Sequence, residues 1–256
     1  MTTTAQWWAA LDLGRSPADA PAAFCADLGP DSLLAGYRAG VFPMPAQDEY
    51  SLWMNEARYE EEVAEGVIAA PGGAREEDFG VAWWSPDPRP VVPVGGARLG
   101  SRLSRRLRNR NDWTTTTDKA FGEVVDRCAE GRSPAWLTAE LRTALRALHD
   151  RGRAHSTEVW ENGELVGGAF GVRVGPVLSL DSMVGLRPDA ARVAVVDLAQ
   201  RFGEAGGILL DVQWDSPHIR SLGALPMPRS DYLALLRDGP RAGPPSGEER
   251  PVWRLG

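Results

Sequence analysis

Asp211 and Gln213 stand two residues apart in the run Ile208-Leu209-Leu210-Asp211-Val212-Gln213-Trp214. Residues i and i+2 of a strand face the same way, so a strand here puts both side chains on one face, bracketed by Leu209 and Val212. A carboxylate and an amide in so dry a setting are costly unless each has partners. Two readings are open: a satisfied structural pair that holds the following loop, or a polar site at a strand end. His218 follows in the loop, where it either caps the backbone or reacts. Asp181, in Leu180-Asp181-Ser182-Met183-Val184, is a second carboxylate on a predicted strand. Cys25 and Cys128 stand alone, without a Cys-x-x-Cys pair or a ligand cluster. No disulfide framework or structural zinc site is expected, and a reducing cytoplasm fits.

The elements that must position these residues follow from hydrophobic period and breakers. A short helix opens at Asp31-Ser32 and stops at Gly40. Residues 41–45 are extended, 55–67 are helical, and Pro71-Gly72-Gly73 breaks that helix. Two tryptophans, a proline-stiffened turn and a short apolar strand occupy 83–94. Residues 100–110 form a helix with Leu103 and Leu107 on one face. A strand at 113–118 precedes helices over 120–130 and 138–151, the second carrying Leu141, Leu145 and Leu148 at helical spacing. The period then changes to two: a hairpin turns at Glu161-Asn162-Gly163, and Gly175-Pro176 leads into a third strand. A helix over 189–205, a buried strand over 208–214 and short helices at 217–222 and 230–237 follow. Gly167-Gly168-Ala169-Phe170-Gly171 lies within a strand, so it is no phosphate loop; it lets backbone approach a ligand or opens a side-chain pocket. The pattern predicts an α+β fold: a small N-terminal domain over 1–90, an acyltransferase-like (GNAT-like) α/β domain over 91–238, and a mobile, Pro- and Gly-rich tail over 239–256.

At 256 residues the chain can bury a substantial core. No apolar run approaches the ~18 residues of a membrane span, and the first residues show no signal-peptide pattern. The net charge is −7, but it is unevenly spread. Residues 46–79 carry −8, so the rest of the chain is near +1. Arg98, Arg102, Arg105, Arg106, Arg108 and Arg110 cluster within 98–110 without an acid between them. Such a cluster is either a solvated helix face or a phosphate-binding one, since local charge rather than the total sets attraction to nucleic acid.

Taken in order, residues 154–160 (AHSTEVW), 164–172 (ELVGGAFGV), 180–183 (LDSM), 209–214 (LLDVQW) and 217–224 (PHIRSLGA) resemble the bacterial leucyl/phenylalanyl-tRNA–protein transferases. Three upstream segments resemble the same family: 37–43 (YRAGVFP), 83–89 (WWSPDPR) and 135–138 (AWLT). The resemblance spans about residues 31–237. It implies transfer of Leu or Phe, with Met hard to separate from them in an apolar pocket. The donor is an aminoacyl-tRNA, and the acceptor is a protein bearing an N-terminal Arg or Lys, which is thereby marked for degradation. It implies no cofactor, and a cytoplasmic monomer is expected.

Under this resemblance Gln213 hydrogen-bonds the attacking α-amine and Asp211 orients or polarises it. An aminoacyl ester is already activated, so positioning matters more than a strong base. Asp181 stands where the family carries a glutamate near the acceptor residue, and Met44 where many members carry tryptophan. Trp136 and Met44 are expected beside the 3′-terminal adenosine, and Ala169, Phe170, Leu178 and Met183 around the transferred side chain. The arginines of 98–110 are expected on the acceptor-stem phosphates. The shortened carboxylate leaves two alternatives: a paralogue acting on a small-molecule amine or another peptide, and a catalytically silent tRNA-binding protein. An acyl-CoA acyltransferase is disfavoured, because no glycine-rich pyrophosphate loop opens a helix.

Overall fold

The computed structural model of the chain describes residues 3–72, 75–110, 112–131 and 135–256. Helix α1 (Thr4–Ala9) starts in a reciprocal capping box between Thr3 and Gln6. Strand β1 (Pro21–Phe24) and helix α2 (Pro30–Ala39) follow, and Gly40 ends α2 at a left-handed φ of 96°. Strand β2 (Phe42–Pro45), helix α3 (Glu49–Ala64) and strand β3 (Val81–Trp84) come next. Strand β3 runs antiparallel between β1 and β2, giving a three-stranded sheet.

The chain then enters a second sheet. Strand β4 (Arg89–Pro93), helix α4 (Ser101–Leu107), strand β5 (Trp113–Thr117) and helices α5 (Phe121–Ala129) and α6 (Ala139–Asp150) lead to a meander. The meander is β6 (Ala154–Glu161), β7 (Glu164–Val174) and β8 (Val177–Gly185). Helix α7 (Ala190–Glu204) crosses to β9 (Leu209–Asp211), which pairs in parallel with β8. Helix α8 (Pro217–Ser221), strand β10 (Leu225–Met227), helix α9 (Arg229–Asp238) and strand β11 (Arg250–Pro251) finish the chain. Among the described residues this sheet runs β10-β4-β9-β8-β7-β6-β5-β11. Helices and mixed sheets make an α+β fold.

Two apolar layers flank the large sheet. Helix α7 buries Val193, Val195, Leu198 and Phe202 on one face, against Ala169, Leu178 and Leu180. On the other face Phe170 and Val172 share a core with Val124, Leu145, Tyr37, Phe42 and Trp83. The small sheet, α2, α5 and α6 therefore pack as one layer over that face. The acidic segment contributes to packing too: Tyr59 and Phe79 close a cluster around Phe24. Among the described residues no ion pair joins it to the arginines of 98–110. Gly73 of the expected breaker lies outside the described residues.

Several expectations are corrected. Helix α3 begins at Glu49 rather than 55, because Asp48 caps it by accepting from the Ser51 amide at 2.7 Å. Helix α2 has Pro30 in its first turn in place of a side-chain cap, and Asp31 reaches Arg151 at 2.6 Å. Helix α1 and strand β1 lie where no period was legible. The largest correction is the expected mobile tail. Residues 239–256 dock: β11 pairs with β5, and Val252 is fully buried. The fastening is Arg201 of α7, itself fully buried. It donates Nε to Asp197 (2.7 Å), Nη1 to the Ser246 and Glu248 carbonyls (2.7 and 2.6 Å) and Nη2 to Thr115. Composition hides this, because the donors come from a residue far away in sequence.

Loss of Arg201 leaves Asp197 with Arg254 as a partner, but takes the donor from the Ser246, Glu248 and Thr115 carbonyls, at about 1–3 kcal/mol for each that stays buried and unpaired. Arg201→Leu is therefore expected to lower unfolding stability by about 3 kcal/mol in urea denaturation. It should also expose the tail to limited proteolysis near residue 240. Wild-type stability in that variant would refute the docking role.

Candidate active site

The site is built on a buried ion pair. Arg89 of β4 and Asp211 of β9 sit on adjacent strands: Asp211 is opposite Val91, and Arg89, two residues away on the same face of β4, reaches it diagonally. The guanidinium grips the carboxylate with two hydrogen bonds, Nε to Oδ1 at 2.8 Å and Nη2 to Oδ2 at 2.7 Å. Its Nη1 donates to the Gly40 carbonyl at 3.3 Å. The rings of Phe42 and Tyr232 each lie 4.7 Å from its Cζ. Asp211 also accepts from Tyr232 Oη (2.9 Å), Ser179 Oγ (3.1 Å) and the Gln213 amide (3.0 Å). With five donors its oxygens are saturated. Asp211 thus holds the loop that follows it.

Gln213 departs from the expected strand. Strand β9 ends at Asp211, and Gln213 takes a left-handed φ of 62°. That turn, tied by the Gln213 N–H to Asp211, carries the side chain over β8. There Nε2 donates to Ser179 Oγ at 3.2 Å and to Asp181 Oδ1 at 2.7 Å. Both amide hydrogens are used, while no donor among the described residues reaches Gln213 Oε1.

Asp181 owes its position to a β-bulge. Phe170 pairs with Ser182 and Gly171 with Leu180, so Asp181 is the extra residue of β8. The bulge turns Asp181 and Ser182 toward the same side as Ser179. Glycine is required opposite it: a Cβ on Gly171 would lie 2.0 Å from the Ser179 carbonyl. Asp181 Oδ1 accepts from Gln213 and from Tyr37 Oη of α2, at 2.9 Å. Its Oδ2 and the neighbouring Ser182 Oγ are buried without a partner among the described residues. Adjacent orphaned polar atoms are rare in folded proteins and call for a ligand group. Burial pushes the Asp181 carboxyl up to about 8 from its ordinary 3.8; the Tyr37 and Gln213 hydrogen bonds oppose this, and the Asp211 charge adds to it. Burial and the Asp181 charge raise the Tyr37 phenol as well.

Gln213, Asp211 and Asp181 are therefore brought into one network. The other expected residues divide. Met44 and Trp136 are half-buried and border the core beneath the small sheet, with Phe170. Ala169, Leu178 and Met183 face α7 instead, so the four expected pocket-wall residues do not share a face. The Gly167-Gly168 pair serves packing, since Cβ atoms there would meet Ala190 and Val124 at 2.5 and 2.8 Å. Arg98, Arg102, Arg105 and Arg108 are exposed, without ion-pair partners among the described residues. Arg106 pairs with Asp189, and Arg110 with Glu161 (2.5 Å) while lying 4.0 Å over Trp113. Helix α4 packs on the α7 side, so the sheet separates it from Asp181. His218 is exposed on α8, where its carbonyl accepts from Ser221 Oγ.

Sequence reasoning missed Tyr37, Arg89, Ser179, Tyr232 and Trp214. Tyr37 and Arg89 stood inside recognised runs, so the signal was present. Tyr232, 21 residues beyond Asp211, gave none. The Trp214 ring packs edge-on against Phe42 and Trp84 (centroids 5.3 and 5.0 Å) and remains 39% exposed beside Gln213. It is an aromatic surface at the edge of the polar network.

Residues 91–237 match the family described as leucyl/phenylalanyl-tRNA protein transferase, and 26–54 match that family's N-terminal domain. Among proteins named leucyl/phenylalanyl-tRNA–protein transferase, that of Xanthomonas axonopodis pv. citri is 36% identical over 215 residues, covering 82% of this chain and 74% of its own. That of Thiobacillus denitrificans is 37% identical over 215 residues, with coverages of 83% and 81%. That of Nitratidesulfovibrio vulgaris is 36% identical over 248 residues, with coverages of 95% and 91%.

The raised Asp181 carboxyl has a consequence for stability. Below pH 4 it is protonated in both folded and unfolded chains. Between pH 4 and 8 only the unfolded chain ionises, so Asp181 costs progressively more stability as pH rises. Asp181→Asn is expected to match wild type near pH 4 and to be the more stable protein at pH 8. The gap should widen by at most about 1.4 kcal/mol per pH unit. Urea denaturation at several pH values measures it; a gap independent of pH would refute the assignment.

Proposed function

This chain belongs to the leucyl/phenylalanyl-tRNA protein transferase family, and from that we propose that it transfers Leu or Phe from aminoacyl-tRNA to the N-terminal α-amine of a protein beginning with Arg or Lys. Members of the family are tRNA-dependent aminoacyltransferases. The observation that carries the reading at this site is two acceptors without a donor among the described residues, Gln213 Oε1 and Asp181 Oδ2, on side chains joined by the Nε2–Oδ1 hydrogen bond.

An incoming amine has N–H groups to donate and no protein acceptor need be displaced to receive them. Gln213 Oε1 takes one N–H and aims the nitrogen lone pair at the ester carbonyl. Asp181, near 8, is matched to an α-amine, whose ordinary pKa is about 8, so a proton moves between them with little free-energy cost. As the N–C bond forms and the C–O bond to the terminal ribose breaks, the amine's proton passes to Asp181 and on to the leaving oxygen. Asp211 does not touch substrate in this scheme. It positions Gln213 through its main-chain amide and through Ser179. Trp214, Trp136 and Met44 supply the apolar and aromatic surface for the terminal adenosine and the transferred side chain. Arg98, Arg102, Arg105 and Arg108 meet tRNA phosphates without reading sequence. The same reading makes the enzyme a cytoplasmic monomer, supported by charged tRNA as the donor and by site groups that all lie on one chain.

Gln213→Ala should lower transfer to an Arg-starting peptide by about 100-fold, because the nucleophile loses its orientation. Charged-tRNA affinity, measured by filter binding, should stay nearly unchanged; equal loss of both would make Gln213 a structural residue only. A product formed with a metabolite amine but none with the Arg peptide would move the acceptor assignment to small molecules. Arg102→Gln with Arg105→Gln should weaken tRNA binding and flatten its salt dependence by roughly one to two units of slope. An unchanged slope would take α4 off the tRNA.

A further inference from the structure

Far from the network around Asp181, a cavity of about 430 Å³ is walled by Arg38, Arg153, Arg173, Arg237 and Arg241, and no acid lines it. It opens at the β7–β8 turn around Gly175, six residues or ~20 Å of strand from Asp181. Arg38 comes from α2, Arg237 from α9, Arg153 from the start of β6 and Arg173 from the end of β7. Four separate segments thus converge their cations on one space.

Only part of this charge is answered by the protein. Arg173 is fixed as a wall: Nη1 donates to the Ala242 carbonyl at 2.7 Å, Nη2 to Gly152 at 2.9 Å and Nε to His155 at 3.2 Å. Arg237 has Asp238 at 3.0 Å. Arg38, Arg153 and Arg241 have no side-chain partner among the described residues. Arg38 is pulled below its ordinary value by burial and then by Arg153, and Arg173 by burial and Arg153 likewise. Holding like charges together costs free energy that a bound anion would repay. Arginine is suited to this because its planar fork meets phosphate oxygens in pairs.

The shape separates this site from the arginines of α4. Those line up along an exposed helix, as a duplex backbone requires. Here the cations surround a concavity whose volume falls in the range of small-ligand pockets, about 300–1,000 Å³. Val174 and Leu236 add a limited apolar wall. We propose that this cavity binds a small molecule through a di- or triphosphate group. It shares two helices with the distant network: α2 carries Arg38 next to Tyr37, the donor to Asp181, and α9 carries Arg237 as well as Tyr232, the donor to Asp211. A phosphate bridging Arg38 and Arg153 would brace α2 against β6.

Inorganic pyrophosphate is the probe, titrated calorimetrically into the full-length chain. Saturable binding is expected in wild type, weakened about tenfold or more in Arg38→Gln/Arg153→Gln. Neither arginine is needed for another contact, so circular dichroism of the double variant should match wild type. Arg102→Gln/Arg105→Gln serves as the control and should bind pyrophosphate as wild type does. Absence of binding to wild type, equal binding by the double variant, or loss in the α4 control would overturn the proposal. Competition by deacylated tRNA, with tRNA affinity falling in the double variant, would assign the cavity to the RNA backbone and overturn the small-molecule reading.

Discussion

The Arg89–Asp211 pair is the constraint around which this protein is arranged. Burying two opposite charges is costly, and their attraction offsets the loss only when geometry is good and every remaining donor and acceptor is satisfied. Here the geometry is good and each guanidinium nitrogen has an acceptor. The grip is bidentate, Nη1 finds the Gly40 carbonyl, and Asp211 receives three further donors. Meeting those conditions draws in five separate elements. The left-handed end of α2 supplies the carbonyl, β2 and α9 supply the flanking rings, β8 supplies Ser179, and the turn after β9 supplies the Gln213 amide. The small sheet is thereby locked against the large one at the place where the Asp181–Gln213–Tyr37 network lies.

This arrangement explains why two carboxylates so close together behave differently. Asp211 faces a guanidinium and has its lone pairs filled; it is suited to holding geometry and not to exchanging protons. Asp181 is given no cation. Its partners, a phenol and an amide, are neutral donors to a single oxygen, and desolvation dominates its proton affinity. A fully paired carboxylate beside one held by neutral donors alone is an arrangement suited to dividing scaffold and proton-transfer roles. The bulge at Asp181 is what makes the division possible. Without an extra residue in β8, strand alternation would place Ser179 and Asp181 on one face but turn Ser182 to the other, under α7.

Much of this was legible in the chain. The meander, its hairpin turn at Asn162-Gly163 and the crossover helix are encoded by local period and turn chemistry. The proximity of Asp211 and Gln213 was also legible, although by the wrong geometry: a left-handed turn, not strand alternation, joins them. What local patterns cannot carry is a partner supplied from a distance. Tyr232 reaches Asp211 from α9, Tyr37 reaches Asp181 from α2, and Arg201 captures carbonyls of a tail that composition marks as loose. The pocket-wall expectation failed for a related reason. Ala169 and Phe170 are consecutive in a strand, so they must face opposite layers, and only the topology says which layer holds the site.

The position of Asp181 is set by its donors. Its Oδ1 lies 2.7 Å from Gln213 Nε2 and 2.9 Å from Tyr37 Oη, so the carboxylate is seated in hydrogen-bond geometry. The Gln213 donor is placed in turn by the left-handed residue after β9, whose N–H is tied to Asp211. Trp214 follows directly, its ring held by Phe42 and Trp84. A displacement of the Arg89–Asp211 pair would therefore carry Gln213 with it and remove one of the two donors that fix Asp181, so the buried ion pair and the raised carboxyl are coupled through a single peptide turn.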